Sequence, residues 1–285
     1  MEVQVSKGFL VIAQNTETVN YVDQAYALAL SIKHSQKSVT KISIVTNDIV
    51  PKKYLRAFDQ VIPIPFYDET KYSTYRAENR WKLYYASPYY ETIVLDTDML
   101  VLEDISNWWD YCSHYDLQFC SRIKNYKLES VVDTVHRKMF IANKLTNPYF
   151  ALHYFKKSDV AEQFYKSMEF VINNWEWCYT KFAPEEYQSW LSMDVVTAVT
   201  IEMLGLQESA VDSCSPLEFI HMKTPLQGWD TITDSWQNRV PVILNKRGNL
   251  IVGNIKQDKI FHYVEKDFLK PALINRLEEL AYDRI

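Results

Sequence analysis

Residues 93–102 have the sequence IVLDTDMLVL, which places two carboxylates, Asp96 and Asp98, inside an otherwise apolar segment. A buried strand normally excludes aspartate, because an unpaired carboxylate there is costly or is forced to take up a proton. A divalent cation removes that cost, and positions i and i+2 of an extended segment point to the same side, where both can reach one ion. An edge turn whose acids face water is the plainer alternative. The apolar flanks favour a strand that ends in a metal site.

The first hundred residues alternate short apolar runs with stretches of helical pattern. This alternation predicts a mostly parallel sheet with helices on both faces, and ligands bind such sheets beyond the carboxyl ends of the strands. Asp96 and Asp98 follow one of those ends. The predicted strands are residues 9–13, 41–46, 61–64 and the acidic strand, and the predicted helices are residues 21–34 capped by Asn20, a helix opened by Pro51, and residues 74–86.

The second half of the chain is less regular, although apolar runs and helical spacing still predict its elements. Residues 245–249 (NKRGN) predict a hairpin turn, and Gly205 is expected to end a helix. The predicted strands are residues 116–122, 147–155, 240–244, 250–253 and 260–263, and the predicted helices are residues 129–143, 159–175, 194–204 and 267–283. No linker or internal repeat divides the sequence, so we expect one domain.

Composition limits the classes of protein that fit. The net charge of -5 gives no general attraction to nucleic acid or to anionic membranes. No apolar run is long enough to span a membrane, and residues 1–7 lack the features of a secretion signal. The four cysteines, at positions 112, 120, 178 and 214, show neither CxxC spacing nor a disulfide pattern. These observations favour a cytoplasmic protein.

Glycine is rare in this chain. There are five glycines, and neither GxGxxG nor GxxxxGK[ST] occurs anywhere in the sequence. The usual backbone cradles for phosphate are therefore missing. A phosphorylated ligand would have to be neutralised by a metal ion and by basic side chains.

An acidic pair that follows such an alternating half, without a glycine loop, resembles the GT-A glycosyltransferases, most closely the glycogenin-like group called family 8. The resemblance covers most of the chain at low identity. It implies an α/β, Rossmann-like GT-A fold with a mostly parallel sheet, helices on both faces, and a C-terminal hairpin and helix. It also implies a single domain over residues 1–285, with a nucleotide-sugar-binding half in residues 1–104 and an acceptor-binding and C-terminal part in residues 105–285.

The resemblance assigns residues that contact the donor. Family members meet the nucleotide with polar residues at a strand end and an aromatic ring that stacks on the base, and the matching positions are Ala13, Asn15 and Tyr21. A basic residue ahead of the acidic strand contacts the donor, and Arg80 matches it by spacing, with Lys82 as the second candidate. The plainer interpretations are that Tyr21 packs on the core and that the two cations are exposed helical charges.

The sequence Asp96-Thr97-Asp98 matches the DxD motif of that family, whose acids bind Mn²⁺ or Mg²⁺ bridging the donor's diphosphate. The family takes a third metal ligand from a late histidine, in a pattern close to HFxGxxKPW. His262 lies on a late apolar strand before the final helix, as that ligand does, whereas His221 opens a segment with tryptophan at the family's spacing. Neither histidine matches the full pattern. We favour His262 as the metal ligand and keep His221 as the alternative.

The likeness extends to residues near the reacting sugar. Asp194 matches an acid of the family's Asp-Gln-Asp segment and is expected to accept hydrogen bonds from sugar hydroxyls, with a helix N-cap as its other interpretation. Lys223 is the candidate for holding phosphate as the leaving group departs. We therefore assign Asp194 and Lys223 as catalytic residues. The remaining residues assigned to donor binding are Thr97, Gln227 and Lys266.

These motifs imply a metal-dependent hexosyl- or pentosyltransferase that moves a sugar from a UDP-sugar to an acceptor hydroxyl, with retention or inversion left open. The acceptor is a saccharide or a protein or, alternatively, a hydroxymethylated base of phage DNA. A DNA acceptor predicts a basic groove, whose candidate residues are Arg122, Lys124, Lys127, Arg137 and Lys138. Two remote alternatives are a haloacid-dehalogenase-like phosphatase, which needs its acidic strand first, and an inactive sugar-binding protein.

Overall fold

A computed structural model of the chain describes residues 6–68, 70, 76–212, 214–229 and 235–282. The strands within these residues are β1 (Lys7–Ile12), β2 (Ile42–Val45), β3 (Gln60–Ile62), β4 (Glu91–Leu95), β5 (Met99–Val101), β6 (Leu117–Cys120), β7 (Arg122–Lys124), β8 (Ser130–Val131), β9 (Tyr149–Lys156), β10 (Glu218–His221), β11 (Val242–Leu244), β12 (Leu250–Val252), β13 (Ile255–Lys256) and β14 (Ile260–His262).

The α-helices of the described residues are α1 (Tyr21–Ser35), α2 (Leu83–Ala86), α3 (Ser106–Cys112), α4 (Lys138–Ala142), α5 (Asp159–Asn173), α6 (Trp175–Phe182), α7 (Met193–Leu204), α8 (Gln207–Ala210) and α9 (Pro271–Tyr282). Short 3₁₀ helices cover Lys52–Ala57, Arg80–Lys82, Thr224–Gln227 and Trp236–Asn238. In the described part of the chain, we find no helix with both the length and the apolar character needed to cross a bilayer.

The main sheet has six strands in the order β3-β2-β1-β4-β9-β6. The first four are parallel to one another, and β9 runs antiparallel to both β4 and β6. Helices cover both faces of this sheet, because successive side chains along each strand point to opposite faces and both faces are apolar. On β1, Phe9 and Val11 belong to the apolar cluster that contains α1, whereas Leu10 and Ile12 belong to the cluster that contains α5 and α7. The predicted mostly parallel α/β sheet is confirmed.

A second sheet begins where the acidic motif ends. Its order is β5-β14-β10-β7-β8, and β5 follows β4 after only Asp96, Thr97 and Asp98. The chain therefore leaves the main sheet and enters the second sheet within the DTD sequence. A three-stranded antiparallel sheet, β11-β12-β13, contains the predicted hairpin.

Two predicted helix ends are confirmed by the residues that cap them. The Asn20 side chain accepts a hydrogen bond from the Asp23 backbone N–H at 3.1 Å and so caps α1. Helix α7 ends at Gly205, whose φ of 66° lies in the left-handed region that glycine tolerates without strain. These two helix ends were predictable because a single capping residue marks each of them.

Other predicted elements are wrong. Residues 129–143 were expected to be one helix, but they form β8 and the short α4, because the Asp133 carboxylate accepts from the backbone N–H groups of Val135 and His136 and holds a turn. The helix expected over residues 159–175 breaks at Asn174 into α5 and α6. The helix expected over residues 74–86 begins only at Arg80, with residues 74 and 75 outside the described part, and the last helix begins at Pro271 rather than residue 267.

His153 on β9 gives the fold an expected sensitivity to acid. Its ring is fully buried, and its nitrogens lie 2.8 Å from the Phe150 carbonyl oxygen and 2.7 Å from the Tyr165 hydroxyl. Burial lowers the pKa of His153 to about 3, so the imidazole is neutral in the folded chain, whereas the unfolded chain takes up a proton near pH 6.5. Stability is therefore expected to fall as the pH drops from 6.5 towards 3, by about 1.4 kcal/mol per pH unit at most from this group.

Urea unfolding of the wild type and of His153→Gln across this pH range measures that contribution. We expect the Gln variant to lose stability less steeply with falling pH than the wild type. Equal slopes for the two proteins would show that His153 does not set the acid sensitivity.

Candidate metal and donor site

The second sheet brings a distant histidine to the acidic motif. Strand β14 pairs antiparallel with β5 in a register that places His262 opposite Met99, the residue after Asp98. The Tyr263 backbone N–H donates to the Asp98 carbonyl oxygen at 3.1 Å, and the Asp96 N–H donates to the Ala151 carbonyl oxygen on β9 at 3.0 Å. Both ends of the DTD turn are thus fixed by strands from later in the chain.

Asp96, Asp98 and His262 form a cluster of three potential metal ligands. One side-chain ligand atom from each lies within 4.8 Å of the other two. The His262 Nε2 lies 2.9 Å from the Asp98 Oδ2, and the Lys266 ammonium lies 2.5 Å from the same oxygen. Asp98 and His262 are only 4% and 8% exposed. The structure therefore brings together the pair of acids and the favoured histidine.

The Asp98 carboxylate is held ionised in a buried position. Burial alone would raise its pKa, but the neighbouring His262 and Lys266 more than offset burial, so the pKa of Asp98 lies well below its usual range. A buried, ionised carboxylate is destabilising unless a positive charge lies beside it. The donor set, two carboxylates and one imidazole, fits a hard divalent cation of the Mg²⁺ or Mn²⁺ kind, with the imidazole favouring Mn²⁺.

A cavity of about 300 Å³ opens beside this cluster. It lies at the carboxyl ends of β1 and β4, where a sheet of this type binds ligands. Arg80 and Lys266 supply positive charge: Arg80 Nη1 lies 2.8 Å from Asp96 Oδ1, and Lys266 Nζ lies 5.5 Å from the centre of the Tyr21 ring. We call this the first cavity; its lining residues are Ile12, Gln14, Thr16, Tyr21, Arg76, Arg80, Asp96, Thr97, Asp98, His262 and Lys266.

A second cavity of about 170 Å³ shares Arg80, Asp96 and His262 with the first. Its lining combines charged and polar side chains with apolar and aromatic ones. Its other lining residues are Tyr149, Phe150, Ala151, Met193, Asp194, Phe219, His221 and Lys223. The two predicted catalytic residues and the alternative histidine therefore line one cavity, which adjoins the first cavity at Arg80, Asp96 and His262.

Asp194 is fixed by a buried arginine. Its Oδ2 accepts from Arg137 Nη1 at 2.6 Å, and its Oδ1 accepts from the Phe150 backbone N–H at 2.8 Å. The Arg137 guanidinium also donates to Asn147 and to the Pro148 carbonyl, and it lies 3.9 Å from the centre of the Tyr149 ring. The N-cap interpretation of Asp194 is wrong, because the residue in the cap position of α7 is Ser192.

His221 lies beside His262 and outside the three-residue cluster. It is 3% exposed, and burial, together with the nearby His262 and Lys223, lowers the pKa of His221 well below 6.5. Its imidazole is therefore neutral. Among the described residues the cluster of potential metal ligands contains His262 and not His221.

Four residues assigned to donor binding line neither cavity. Ala13 is fully buried, Asn15 accepts from the Val22 N–H and so supports the start of α1, and the buried Lys82 ammonium donates to Asn79 Oδ1 at 2.8 Å. Gln227 donates to the carbonyl oxygens of residues 221 and 223 and accepts from the N–H of residue 126. Their contacts are with the protein itself.

Sequence reasoning missed several residues that line the first cavity, namely Ile12, Gln14, Thr16 and Arg76. Gln14 and Thr16 flank the predicted Asn15 at the end of β1, so alternation along an extended segment would have indicated them. Arg137 was considered only as part of a basic groove. No local pattern pairs it with Asp194, from which it is separated by 57 positions.

Comparison with known proteins supports the fold. No protein-family model matches the sequence, and no curated protein matches it. The structure resembles the galactosyltransferase LgtC in complex with donor and acceptor sugar analogs, at 12% identity and a TM-score of 0.52 over 96% of this chain and 95% of LgtC. It also resembles mouse xyloside xylosyltransferase 1, at 13% identity and a TM-score of 0.51 over 90% of this chain and 97% of the mouse protein.

The chain spans only part of two longer proteins that it matches. The bifunctional glycosyltransferase WbbM matches at 13% identity and a TM-score of 0.52, over 99% of this chain and 50% of WbbM. The chain spans 60% of the length of the Streptococcus pneumoniae glycosyltransferase GlyE, at 14% identity and a TM-score of 0.46. The LgtC, xylosyltransferase and WbbM matches show that this chain has the GT-A fold of glycosyltransferases.

Proposed function

We propose that this chain is a metal-dependent glycosyltransferase that uses a nucleotide-sugar donor, specifically a UDP-sugar, and transfers the sugar to an acceptor hydroxyl. The observation that carries the proposal is the cluster of Asp96, Asp98 and His262 at the edge of the first cavity. A cation site beside a cavity at the carboxyl ends of parallel strands suits a diphosphate, and the chain has no glycine loop to bind one.

The metal ligands in this proposal are Asp96, Asp98 and His262. A divalent ion held there would supply Lewis-acid stabilisation of the negative charge that develops on the diphosphate. The side chains of Arg80 and Lys266 add positive charge to the same space, so the protein itself offsets part of the leaving group's charge. Tyr21 lines the first cavity and offers an aromatic face for the base of the nucleotide.

The second cavity is proposed to hold the transferred sugar. The Asp194 carboxylate, fixed by Arg137 and the Phe150 N–H, can accept hydrogen bonds from sugar hydroxyls without having to reorient. Lys223 lines the same cavity and can donate to phosphate or hydroxyl oxygen. The apolar and aromatic residues that line the same cavity suit the less polar face of a sugar ring.

A saccharide or protein acceptor is favoured over DNA, because two of the residues proposed to form a basic groove are paired with acids of the protein itself. Arg137 is buried beside Asp194, and Lys124 pairs with Glu218 at 3.2 Å, so two of the five candidate cations are neutralised locally. The net charge of -5 gives no compensating attraction. A phage source and a cytoplasmic location remain predictions from the sequence.

An assay of donor hydrolysis tests the proposal. The protein is stripped of metal with a chelator and incubated with a panel of nucleotide sugars, with and without Mn²⁺, and free nucleotide is measured. We expect release from at least one UDP-sugar that depends on Mn²⁺ or Mg²⁺. Metal-independent release, or none from any donor, would contradict the proposal, and the second result would support an inactive sugar-binding protein.

Lys266→Gln is expected to weaken binding of UDP by about 10- to 100-fold, because a hydrogen bond to a charged group contributes about 1.5–3 kcal/mol. Calorimetric titration with UDP in the presence of Mg²⁺ measures this effect. Lys270→Gln is the matched control, since Lys270 lines a different cavity, near α9. Equal UDP affinity in the wild type and in the Lys266 variant would remove Lys266 from the donor site.

A further inference from the structure

A buried network of polar side chains ends at the first cavity. Three of its members, Thr70, Asn79 and Lys82, are fully buried, and Gln14 lines the cavity. The Lys82 ammonium donates to Asn79 Oδ1 at 2.8 Å, and Asn79 Nδ2 donates to Asp68 Oδ1 at 2.7 Å. The Thr70 hydroxyl donates to the same Asp68 oxygen at 2.9 Å, and Gln14 Nε2 lies 2.6 Å from Thr70 Oγ1. We call these five residues the Gln14 network.

Two charged groups determine which atoms donate and which accept in the Gln14 network. An ammonium can only donate, so Asn79 meets Lys82 with its oxygen and turns its Nδ2 group towards Asp68. Burial would raise the pKa of Asp68, but hydrogen bonds from donors that include Thr70 and Asn79 lower it. The Asp68 carboxylate is therefore ionised and can only accept. The Thr70 hydroxyl consequently donates its single proton to Asp68.

The amide of Gln14 is left with one favourable orientation. Because the Thr70 proton is engaged with Asp68, the Thr70 oxygen accepts from Gln14 Nε2. Gln14 Nε2 also lies 3.4 Å from Asp68 Oδ1, so a flipped amide would place its oxygen against a carboxylate. With Nε2 held in this way, Oε1 is the polar atom of the Gln14 side chain that remains for a molecule in the first cavity.

A fixed acceptor distinguishes nucleotide bases by their protons. Gln14 and Tyr21, the ring proposed to stack on the base, both line the first cavity and come from the end of β1 and the start of α1. Uracil carries a proton on N3, whereas N3 of cytosine has no proton and is itself an acceptor. Uracil can therefore bond to Oε1, but cytosine would place two acceptors against each other. Sites built around one hydrogen bond reject analogues that leave a buried polar group unpaired.

We propose that Gln14 selects uracil in the donor by accepting a hydrogen bond from its N3–H, and that Thr70 is the positioning residue that fixes the Gln14 amide for this contact. The inference rests on the proposed function, because it requires the first cavity to hold the nucleotide. It also gives the buried Lys82 ammonium a role, since Lys82 orients Asn79 within the Gln14 network.

Binding of two matched nucleotides to the wild type is the first test. UDP and CDP carry the same ribose and diphosphate and differ only in the base. Calorimetric titration in the presence of Mg²⁺ gives the Kd of each. We expect UDP to bind about 10- to 100-fold more tightly than CDP, as for a buried acceptor that loses its partner. CDP that binds as tightly as UDP would overturn the inference without any variant.

Two variants test whether the Gln14 network causes this selectivity. Gln14→Met keeps the length of the side chain but removes the acceptor, and Thr70→Val keeps the shape but removes the hydroxyl that holds the amide. We expect the ratio of the CDP Kd to the UDP Kd to fall about tenfold in each. Thr200→Val is the matched control, because Thr200 is buried, donates to the Val196 carbonyl oxygen and lines neither cavity. Its ratio should equal that of the wild type.

The ratio separates a role in selectivity from a role in stability, since damage to the fold weakens binding of both nucleotides. A folded Gln14→Met protein with the wild-type ratio overturns the inference. If Gln14→Met lowers the ratio and folded Thr70→Val does not, the positioning role of Thr70 is overturned. In each of these cases the proposed function stands if the wild type still releases nucleotide from a UDP-sugar with a metal. If the wild type binds neither UDP nor CDP, both proposals fail.

Discussion

Replacing Asp98 with asparagine is expected to lower kcat/KM for sugar transfer about a thousandfold, since roughly 4 kcal/mol of charge stabilisation is lost at about 1.4 kcal/mol per factor of ten. The buried Asp98 carboxylate is hydrogen-bonded to both His262 and Lys266. An amide offers one neutral oxygen and adds two N–H donors, so it can no longer hold the Lys266 ammonium, the His262 imidazole and a divalent ion together. The rate of nucleotide release at saturating Mn²⁺ measures the effect.

Asp110→Asn is the matched control, because Asp110 is an exposed acid on α3 and lines neither cavity. Its activity should equal that of the wild type. Thermal unfolding of both variants separates loss of the site from loss of the fold. A folded Asp98→Asn protein that keeps more than a tenth of the wild-type rate would contradict the assignment of Asp98.

Asp194→Asn is expected to lower the free energy of unfolding by about 3 kcal/mol, because it leaves the Arg137 guanidinium buried without its counter-ion. The Arg137 side chain is 4% exposed, and its Nη1 lies 2.6 Å from Asp194 Oδ2. The same change should reduce kcat, since Asp194 lines the second cavity. Urea unfolding gives the stability change, and initial rates at saturating donor give the change in kcat.

A double-mutant cycle and a surface pair provide the controls. The cost of Arg137→Met combined with Asp194→Asn should be smaller than the sum of the two single costs, because the double variant leaves no buried charge unpaired. Glu162→Gln removes the partner of Lys166, an exposed pair 2.6 Å apart, and should cost less than about 0.5 kcal/mol. Single substitutions commonly lower the free energy of unfolding by about 1 kcal/mol. If the free energy of unfolding of Asp194→Asn lies within about 1 kcal/mol of the wild-type value, the account of a buried ion pair is contradicted.

The features that could be predicted from the sequence depend on residues that lie close together along the chain. Asp96 and Asp98 could be singled out as candidate metal ligands because two acids in an apolar run are informative wherever the strand lies. The helix that starts after Asn20 and the helix that ends at Gly205 were predictable because their caps are encoded by single residues. Each of these features depends on neighbours within a few positions of the chain.

The rest of the site depends on pairings between distant segments. The position of His262 beside Asp96 and Asp98 follows from the register of β14 against β5, which places His262 opposite Met99. The pairing of Arg137 with Asp194 likewise arises only when residues 57 positions apart meet. Sequence spacing carries no information about either contact. For the same reason, Lys82 was assigned to the donor, although its ammonium is buried against Asn79.

Anomalous diffraction at the manganese edge, from crystals grown with Mn²⁺ and UDP, tests the central claim most directly. We predict a single strong peak between the side chains of Asp96, Asp98 and His262, with the diphosphate of UDP beside it in the first cavity. A manganese peak elsewhere, or UDP bound in the first cavity with no peak at these three residues, would contradict it.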